Sequence, residues 1–120
     1  MKIKPQVIVF DVADLETEST FWANILGGTV EADDDWHYVK LDGDWHLGFQ
    51  LAPDHVPPDW PDGEPKLQMH LDLWVDDLEA AHQEVISRGA RLLKPADDLN
   101  AASGFQVYAD PAGHPFCLCW

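Results

Sequence analysis

Basic residues are scarce in this chain. Only 7 of its 120 residues are Lys or Arg, against 22 that are Asp or Glu, and the formal net charge is −15 at pH 7. A surface this acidic repels nucleic-acid phosphates and anionic membranes within a Debye length of about 10 Å. The composition therefore predicts neither nucleic acid nor membrane as a partner. It favours solubility, and it attracts cationic ligands.

Cysteine and long apolar runs are scarce as well. The two cysteines, Cys117 and Cys119, stand two apart in a predicted strand, so free thiols and a reducing compartment are expected. No apolar run approaches the roughly 20 residues that span a bilayer. Residues Met1 to Pro5 lead into a strand pattern rather than the apolar core of a signal peptide. We expect a cytoplasmic protein.

A repeated pattern divides the chain into two similar halves. The segment Val12 to Glu16 returns as Val75 to Glu79. Each copy follows an alternating apolar run, precedes a helical pattern and leads to a glycine that ends the helix, Gly27 or Gly89. The pattern predicts an α+β fold in which a βαβββ module occurs twice. Each helix should cover one sheet face and leave the other to line a cleft between paired sheets.

The predicted elements follow from apolar periodicity, N-cap residues and turn residues. The first module, about 5–51, should contain a strand over 7–12, a helix over 15–26 and strands over 29–31, 36–41 and 46–51. A proline-rich link over 52–66 separates it from the second module, about 67–120. That module should contain a strand over 67–75, a helix over 78–88 and strands near 90–93, 105–109 and 116–120. The whole chain is predicted to be one domain, with a mobile loop over 95–104.

Strand alternation predicts the side chains that line the cleft. In the strand over 67–75, apolar residues pack under the helix and leave His70, Asp72 and Trp74 on the opposite face. His70 and Asp72 are close enough for general acid/base catalysis, although a hydrogen-bonded polar pair is the simpler interpretation. The complete set of predicted ligand-binding residues is Trp36, His46, Gln50, His70, Asp72, Trp74 and Cys117.

Six tryptophans are many for a chain of this length. Trp22 and Trp120 are predicted to lie in the core beneath the helices. Trp60 should clip the proline-rich link to the body or to a partner chain. Indoles beside the cleft offer flat faces for stacking and for cation–π attraction of up to about 2 kcal/mol, with packing or a dimer interface as the alternative. The tryptophans beside the cleft are Trp36, Trp45 and Trp74.

Three segments carry a resemblance to a known superfamily. They are Val12 to Leu15 with the following Phe21-Trp22 and Leu26-Gly27, then His70 to Asp77, and Asp110 to Phe116. With the doubled βαβββ order, nearly the whole chain resembles the vicinal oxygen chelate superfamily. Its members include glyoxalase I, extradiol dioxygenases, fosfomycin-modifying enzymes and bleomycin-binding resistance proteins. The resemblance implies the fold but leaves the function open, because this scaffold hosts isomerases, oxygenases, transferases and plain binders.

The resemblance also implies where a metal ion would bind. Metalloenzymes of the superfamily place one ligand on the first strand and one on the last strand of each module. The matching positions here are Val7, Gln50, His70 and Cys117. Val7 has no donor atom, and Cys117 stands where the enzymes usually carry a carboxylate, so magnesium, manganese or nickel is not expected. We predict no metal and no other cofactor.

Other combinations of residues leave alternatives open. His70 with Cys117 and Cys119, and with His46, offers soft ligands for zinc or copper. The first functional hypothesis is a metal-independent binding protein for a small aromatic or cationic compound, similar to the bleomycin-resistance branch. The second is a glyoxalase-like lyase or isomerase that uses His70 with Asp72 as acid and base. A scaffold with a partner-binding role is a third, and a homodimer is expected because open sheet edges invite a second copy.

Overall fold

The protein folds into two compact units of similar construction. The computed structural model describes residues 2, 7–64 and 69–120. The chain divides into the units Met1–Val56 and Pro57–Trp120. The predicted start of the second module, and the first residues of its predicted strand over 67–75, lie outside the described residues.

Each unit has the predicted βαβββ order. The first contains β1 (Ile8–Val12), α1 (Leu15–Leu26), β2 (Thr29–Ala32), β3 (Trp36–Leu41) and β4 (Asp44–Leu51). The second contains β5 (Leu71–Trp74), α2 (Leu78–Ser87), β6 (Arg91–Lys94), β7 (Phe105–Ala109) and β8 (Pro115–Cys119). The α+β fold with two βαβββ modules is therefore confirmed.

The two four-stranded sheets share one topology. Their strand orders are β1-β4-β3-β2 and β5-β8-β7-β6. The first strand of each unit pairs in parallel with the last, and the remaining neighbours are antiparallel. The helix between the first two strands makes this parallel pairing possible, because parallel neighbours need a long crossover. Each sheet therefore has its first strand at one edge, beside a central last strand.

The repeated sequence segments form the helix starts. Asp14 and Asp77 are the N-caps of α1 and α2, and their carboxylates accept hydrogen bonds from the backbone N–H groups of Thr17 and Ala80 at 3.1 and 3.0 Å. The helix α1 ends at Gly27, whose φ of 72° lies in the left-handed region that glycine adopts without strain. The repeat is thus a capping signal placed directly after an edge strand.

The core of the first unit lies between α1 and its sheet. Trp22 is almost fully buried and packs edge-to-face against Phe10 and Phe21, with ring centroids 6.0 and 5.2 Å apart. Its indole N–H donates to the carboxylate of the buried Glu18 at 3.0 Å, so the polar end of the ring is satisfied. The predicted core position of Trp22 is confirmed.

The predicted core position of Trp120 is wrong. Trp120 follows β8 and pairs with Gly104 through two backbone hydrogen bonds of 3.0 and 3.1 Å. Its indole lies over Gly104, where an added Cβ would be 2.6 Å from the ring, and its N–H donates to the carbonyl of Ala101 at 3.1 Å. Because Gly104 has no side chain, the Trp120 ring packs against the 95–104 loop and does not lie beneath α2.

The loop over 95–104 is tied to the sheet at both ends. At its start the backbone N–H of Ala96 donates to the side-chain carbonyl of Gln106, whose amide nitrogen donates to the hydroxyl of Tyr108. At its end Gly104 pairs with Trp120. Closure of this loop over a ligand stays a prediction, as does the homodimer. Among the described residues, no helix is both long and apolar enough to cross a membrane.

A buried polar pair between α1 and β3 generates a prediction for stability. The hydroxyl of Ser19 lies 2.8 Å from Nδ1 of His37, and both residues are buried. Ser19→Ala leaves the ring nitrogen without this partner, so we expect the free energy of unfolding to fall by about 1–3 kcal/mol in urea denaturation. The neighbouring exposed Thr20 provides the control, since Thr20→Ala should change it by less than about 0.5 kcal/mol. Equal effects of the two variants would contradict this account.

Candidate ligand-binding site

The second unit contains a pocket on the face of its sheet that α2 does not cover. Its volume is about 490 Å³. Aromatic, polar and small residues from four segments of the unit line it. They are Trp60, His70, Asp72, Trp74, Ser103, Gly104, Phe105, Cys117, Cys119 and Trp120.

Strand register brings the pocket's central residues together. In the parallel pairing of β5 with β8, Asp72 lies opposite Cys117 and Trp74 lies opposite Cys119. The leucines of β5 are partly buried, whereas Asp72 and Trp74 are exposed, as the alternation predicts. On β8, all five residues are buried. The pocket therefore has a buried thiol surface beside an exposed carboxylate and an exposed indole.

His70 and Asp72 form a pair inside the pocket. Nε2 of His70 lies 3.2 Å from Oδ1 of Asp72, with the two side chains 36% and 50% exposed. The ring of Trp60 stacks on the imidazole with centroids 5.0 Å apart and an interplanar angle of 30°. Trp60 also packs against the buried cluster of Val107 with the two cysteines. Trp60 therefore holds the proline-rich segment against the rest of the second unit. Its ring also limits the rotation of the His70 imidazole.

The cysteines of the pocket are free, as predicted, and both are buried. Burial, followed by the nearby charge of Asp72 and by Cys119, raises the pKa of the Cys117 thiol from its ordinary 9.0 to about 12. Burial and Asp72 also raise the pKa of Cys119. Both thiols are therefore protonated at neutral pH, and that of Cys117 donates a hydrogen bond to Asp72. Neither is an activated nucleophile, because the thiolate is the reactive form.

The remaining residues predicted to bind ligand lie in the first unit. Trp36 and Gln50 are register partners on β3 and β4, and His46 is exposed on β4. Trp36 belongs to an aromatic group in which its ring lies 5.7 Å from that of Tyr38, and Tyr38 stacks on Trp45 at 4.8 Å. The pocket of the second unit thus brings together four of the seven predicted residues: His70, Asp72, Trp74 and Cys117.

Several residues of the pocket are not predicted by the sequence. Phe105 is half exposed at the start of β7 and pairs with Cys119, so alternation along β7 was a usable signal. Trp60 lies in a proline-rich segment without periodicity, and no local pattern indicates its contact with His70. The position of the Trp120 ring depends on the space beside Gly104, and no sequence pattern indicates that this space is available to the ring.

The donor atoms do not fit the metal site that the superfamily resemblance implies. Of the four matching positions, Val7 offers no donor, Gln50 offers a neutral amide and Cys117 offers a buried thiol. A hard divalent cation needs several oxygen ligands in near-octahedral geometry. These four positions therefore do not provide the ligand set of a magnesium, manganese or nickel ion. A different set, His70 with Asp72 and Cys117, places its donor atoms within 4.8 Å of one another.

The raised pKa of Cys117 generates a prediction for alkaline stability. Above its ordinary pKa of 9.0 the unfolded chain releases this thiol proton, while the folded chain retains it up to about 12. The free energy of unfolding should therefore fall as the pH rises above 9, because the unfolded state then holds fewer protons. Urea denaturation at pH 7, 9 and 10 measures this fall. It should be smaller in Cys117→Ser, and an unchanged slope in that variant would contradict the assignment.

Comparison with known proteins identifies the family and the fold. The sequence model of a family described as a glyoxalase-like domain matches residues 7–119. Among curated proteins, no sequence matches the chain. Solved structures match at low sequence identity, which shows the fold alone.

Three solved structures illustrate the likeness. A glyoxalase/bleomycin resistance protein/dioxygenase family enzyme from Burkholderia phytofirmans PsJN aligns with a TM-score of 0.71 and 14% identity over 94% of each chain. A glyoxalase-related enzyme from Fulvimarina pelagi aligns with a TM-score of 0.69 and 20% identity, over 97% of this chain and 86% of that one. The fosfomycin resistance protein FosX from Mesorhizobium loti aligns with a TM-score of 0.68 and 14% identity, over 99% of this chain and 92% of that one.

The family match spans nearly the whole chain, and the doubled βαβββ fold of the solved structures agrees with it. The protein belongs to the glyoxalase-like domain family, within the vicinal oxygen chelate superfamily.

Proposed function

We propose that the protein binds a small aromatic cation in the pocket of its second unit, without the help of a metal ion. The observation that carries the proposal is a carboxylate set among aromatic rings. Asp72 is half exposed in a pocket that Trp60, Trp74, Phe105 and Trp120 also line. The volume of about 490 Å³ lies within the range of about 300–1,000 Å³ that is usual for small-molecule sites.

The charge of the pocket favours a cation over an anion. None of the described residues that line it is Lys or Arg, and the net charge of the chain is −15. The two thiols are neutral at physiological pH, because burial raises their pKa values. Asp72 thus provides the negative charge at the site, while the overall acidity raises the local concentration of cations.

The exposed rings supply the affinity for an aromatic partner. Trp74 is 73% exposed and Phe105 is 50% exposed, so large apolar surfaces face the solvent beside the carboxylate. A planar ligand that covers them gains stacking and apolar burial, and a positive charge on that ligand adds cation–π attraction of up to about 2 kcal/mol.

A matched pair of probes tests the proposal. N-methylquinolinium carries a permanent positive charge, whereas quinoline has nearly the same shape and is neutral at neutral pH. We expect saturable quenching of tryptophan fluorescence by the cation and weaker binding of quinoline. Asp72→Asn should weaken binding of the cation at least tenfold, which corresponds to about 1.4 kcal/mol. The variant should also lose the preference for N-methylquinolinium over quinoline.

The control for this experiment is Asp76→Asn. Asp76 is exposed, carries the same charge and does not line the pocket. Its removal should leave cation binding within twofold of the wild type. Equal losses of affinity in the two variants would mean that Asp72 acts only through the net charge of the protein. The absence of saturable binding would refute the proposal.

A second candidate function is that of a glyoxalase-like lyase or isomerase. The observation that favours it is the His70–Asp72 contact of 3.2 Å inside the pocket. In this function His70 removes a proton next to a substrate carbonyl, and Asp72 orients and supports the imidazolium.

Proton exchange tests this candidate without requiring a known product. If His70 is the base, small α-hydroxy ketones should exchange the proton next to the carbonyl for deuterium in D2O, as measured by NMR. His70→Gln should abolish the exchange while the circular dichroism spectrum stays unchanged, and Asp76→Asn should exchange normally. Exchange by His70→Gln at the wild-type rate would eliminate the acid/base role.

A further inference from the structure

Three side chains of the pocket offer three different donor atoms at one place. They are an imidazole nitrogen of His70, a carboxylate oxygen of Asp72 and the sulfur of Cys117, all within 4.8 Å of one another. Nε2 of His70 lies 3.2 Å from Oδ1 of Asp72. Convergence of nitrogen, oxygen and sulfur is characteristic of zinc sites, whereas magnesium and calcium prefer oxygen alone.

Strand pairing holds two of these donors in place, and a stacked ring restricts the third. Asp72 and Cys117 are direct register partners in the parallel pairing of β5 and β8. His70 precedes Asp72 by two residues, and the stacked ring of Trp60 restricts its imidazole. Ligands carried by paired strands need little reorganisation on binding, which favours a preorganised site.

The spacing agrees with tetrahedral coordination after small side-chain rotations. Zinc binds nitrogen and oxygen at about 2.0–2.2 Å and sulfur at about 2.3 Å, so two ligand atoms in a tetrahedron lie about 3.3–3.6 Å apart. The His70–Asp72 pair is already near that separation at 3.2 Å. All three donor atoms lie within 4.8 Å of one another, so side-chain shifts of no more than about 1–1.5 Å complete the arrangement.

We infer that His70, Asp72 and Cys117 form a zinc site whose fourth position opens into the pocket. On binding, the thiol of Cys117 gives its proton to the solvent and ligates as a thiolate. The site lies within one unit and includes Asp72, which is absent from the ligand set that the superfamily resemblance implies. It therefore departs from the expectation of no metal, and it does not rest on the proposed function.

Zinc and the aromatic cation compete for the same carboxylate. Asp72 is the charged partner of the organic cation and also a metal ligand, so occupancy by one excludes the other. Cys117 contributes a ligand bond to zinc only. Removal of the sulfur therefore tests the zinc site, whereas removal of the carboxylate affects both proposals.

Cobalt titration of the chelator-treated, untagged full chain tests the site. Co²⁺ replaces zinc in tetrahedral sites, and a thiolate ligand gives it a ligand-to-metal charge-transfer band in the near ultraviolet. We expect one equivalent of Co²⁺ to produce this band, zinc to abolish it by displacement, and excess Mg²⁺ to leave it unchanged. Absence of the band at one equivalent would overturn the inference.

Four variants identify the ligands. Cys117→Ser should lose the band, while Cys119→Ser, two residues along the same strand, should retain it. His70→Gln and Asp72→Asn should each weaken Co²⁺ binding at least tenfold and keep their circular dichroism spectra. His70→Gln keeps the test decisive if the buried Cys117→Ser is poorly folded. Loss of the band in Cys119→Ser alone, or unchanged binding in His70→Gln, would refute the assigned ligand set.

Two assays on the wild type distinguish this site from the proposed function. Saturable binding of N-methylquinolinium without the cobalt band would refute the zinc site alone, and the band without saturable binding would refute the proposed function alone. Zinc at one equivalent should reduce the binding of N-methylquinolinium to the wild type at least tenfold. Simultaneous binding of both ligands without competition would contradict a shared Asp72.

Discussion

The pocket depends on one backbone interaction, the parallel pairing of β5 with β8. This pairing sets Asp72 beside Cys117 and Trp74 beside Cys119. Because side chains alternate between the faces of a strand, a slip of one residue in β5 turns Asp72 toward α2 and brings a leucine into the pocket. The carboxylate, the thiols and the indole therefore hold their relative positions only in this register.

Burial on both faces of β8 fixes that register. The strand is central in the order β5-β8-β7-β6 and is paired on both sides. On one face Phe116 and Leu118 are fully buried, and Tyr108 of β7 stacks on Phe116 at 5.5 Å. On the other face Cys117 packs with Val107. The same packing that selects the register also desolvates the thiol, so stability and the protonated state of Cys117 have one cause.

Local sequence signals predicted the fold and part of the pocket. The N-cap residues Asp14 and Asp77, each directly after an apolar strand, were enough to identify the repeated module. Two-residue alternation correctly placed Asp72 and Trp74 on the exposed face of β5, because the sheet is covered by a helix on one side only. Such signals act over a few residues and depend little on the rest of the fold.

The contacts that the sequence did not predict are long-range. Trp120 was expected beneath a helix, but the open space at Gly104 accommodates its ring elsewhere. Trp60 contacts His70 from a proline-rich segment that has no helical or strand periodicity of apolar residues. Alternation places Gln50 on one face of β4 but does not fix the pocket to which that face contributes, so the ligand-binding roles of Gln50 and Trp36 stay predictions. Tertiary packing determines where these side chains lie, and no local sequence pattern predicts that packing.

The chemistry of the pocket follows from the several partners of Asp72. Its contact with His70 is an exposed pair, which contributes at most about 1 kcal/mol, so an incoming cation replaces it at little cost. An organic cation leaves the thiol proton of Cys117 in place, whereas zinc must displace it. Burial holds that proton firmly and therefore penalises the metal but not the organic cation. The depth of Cys117 in the sheet thus sets the balance between the two proposed ligands of Asp72.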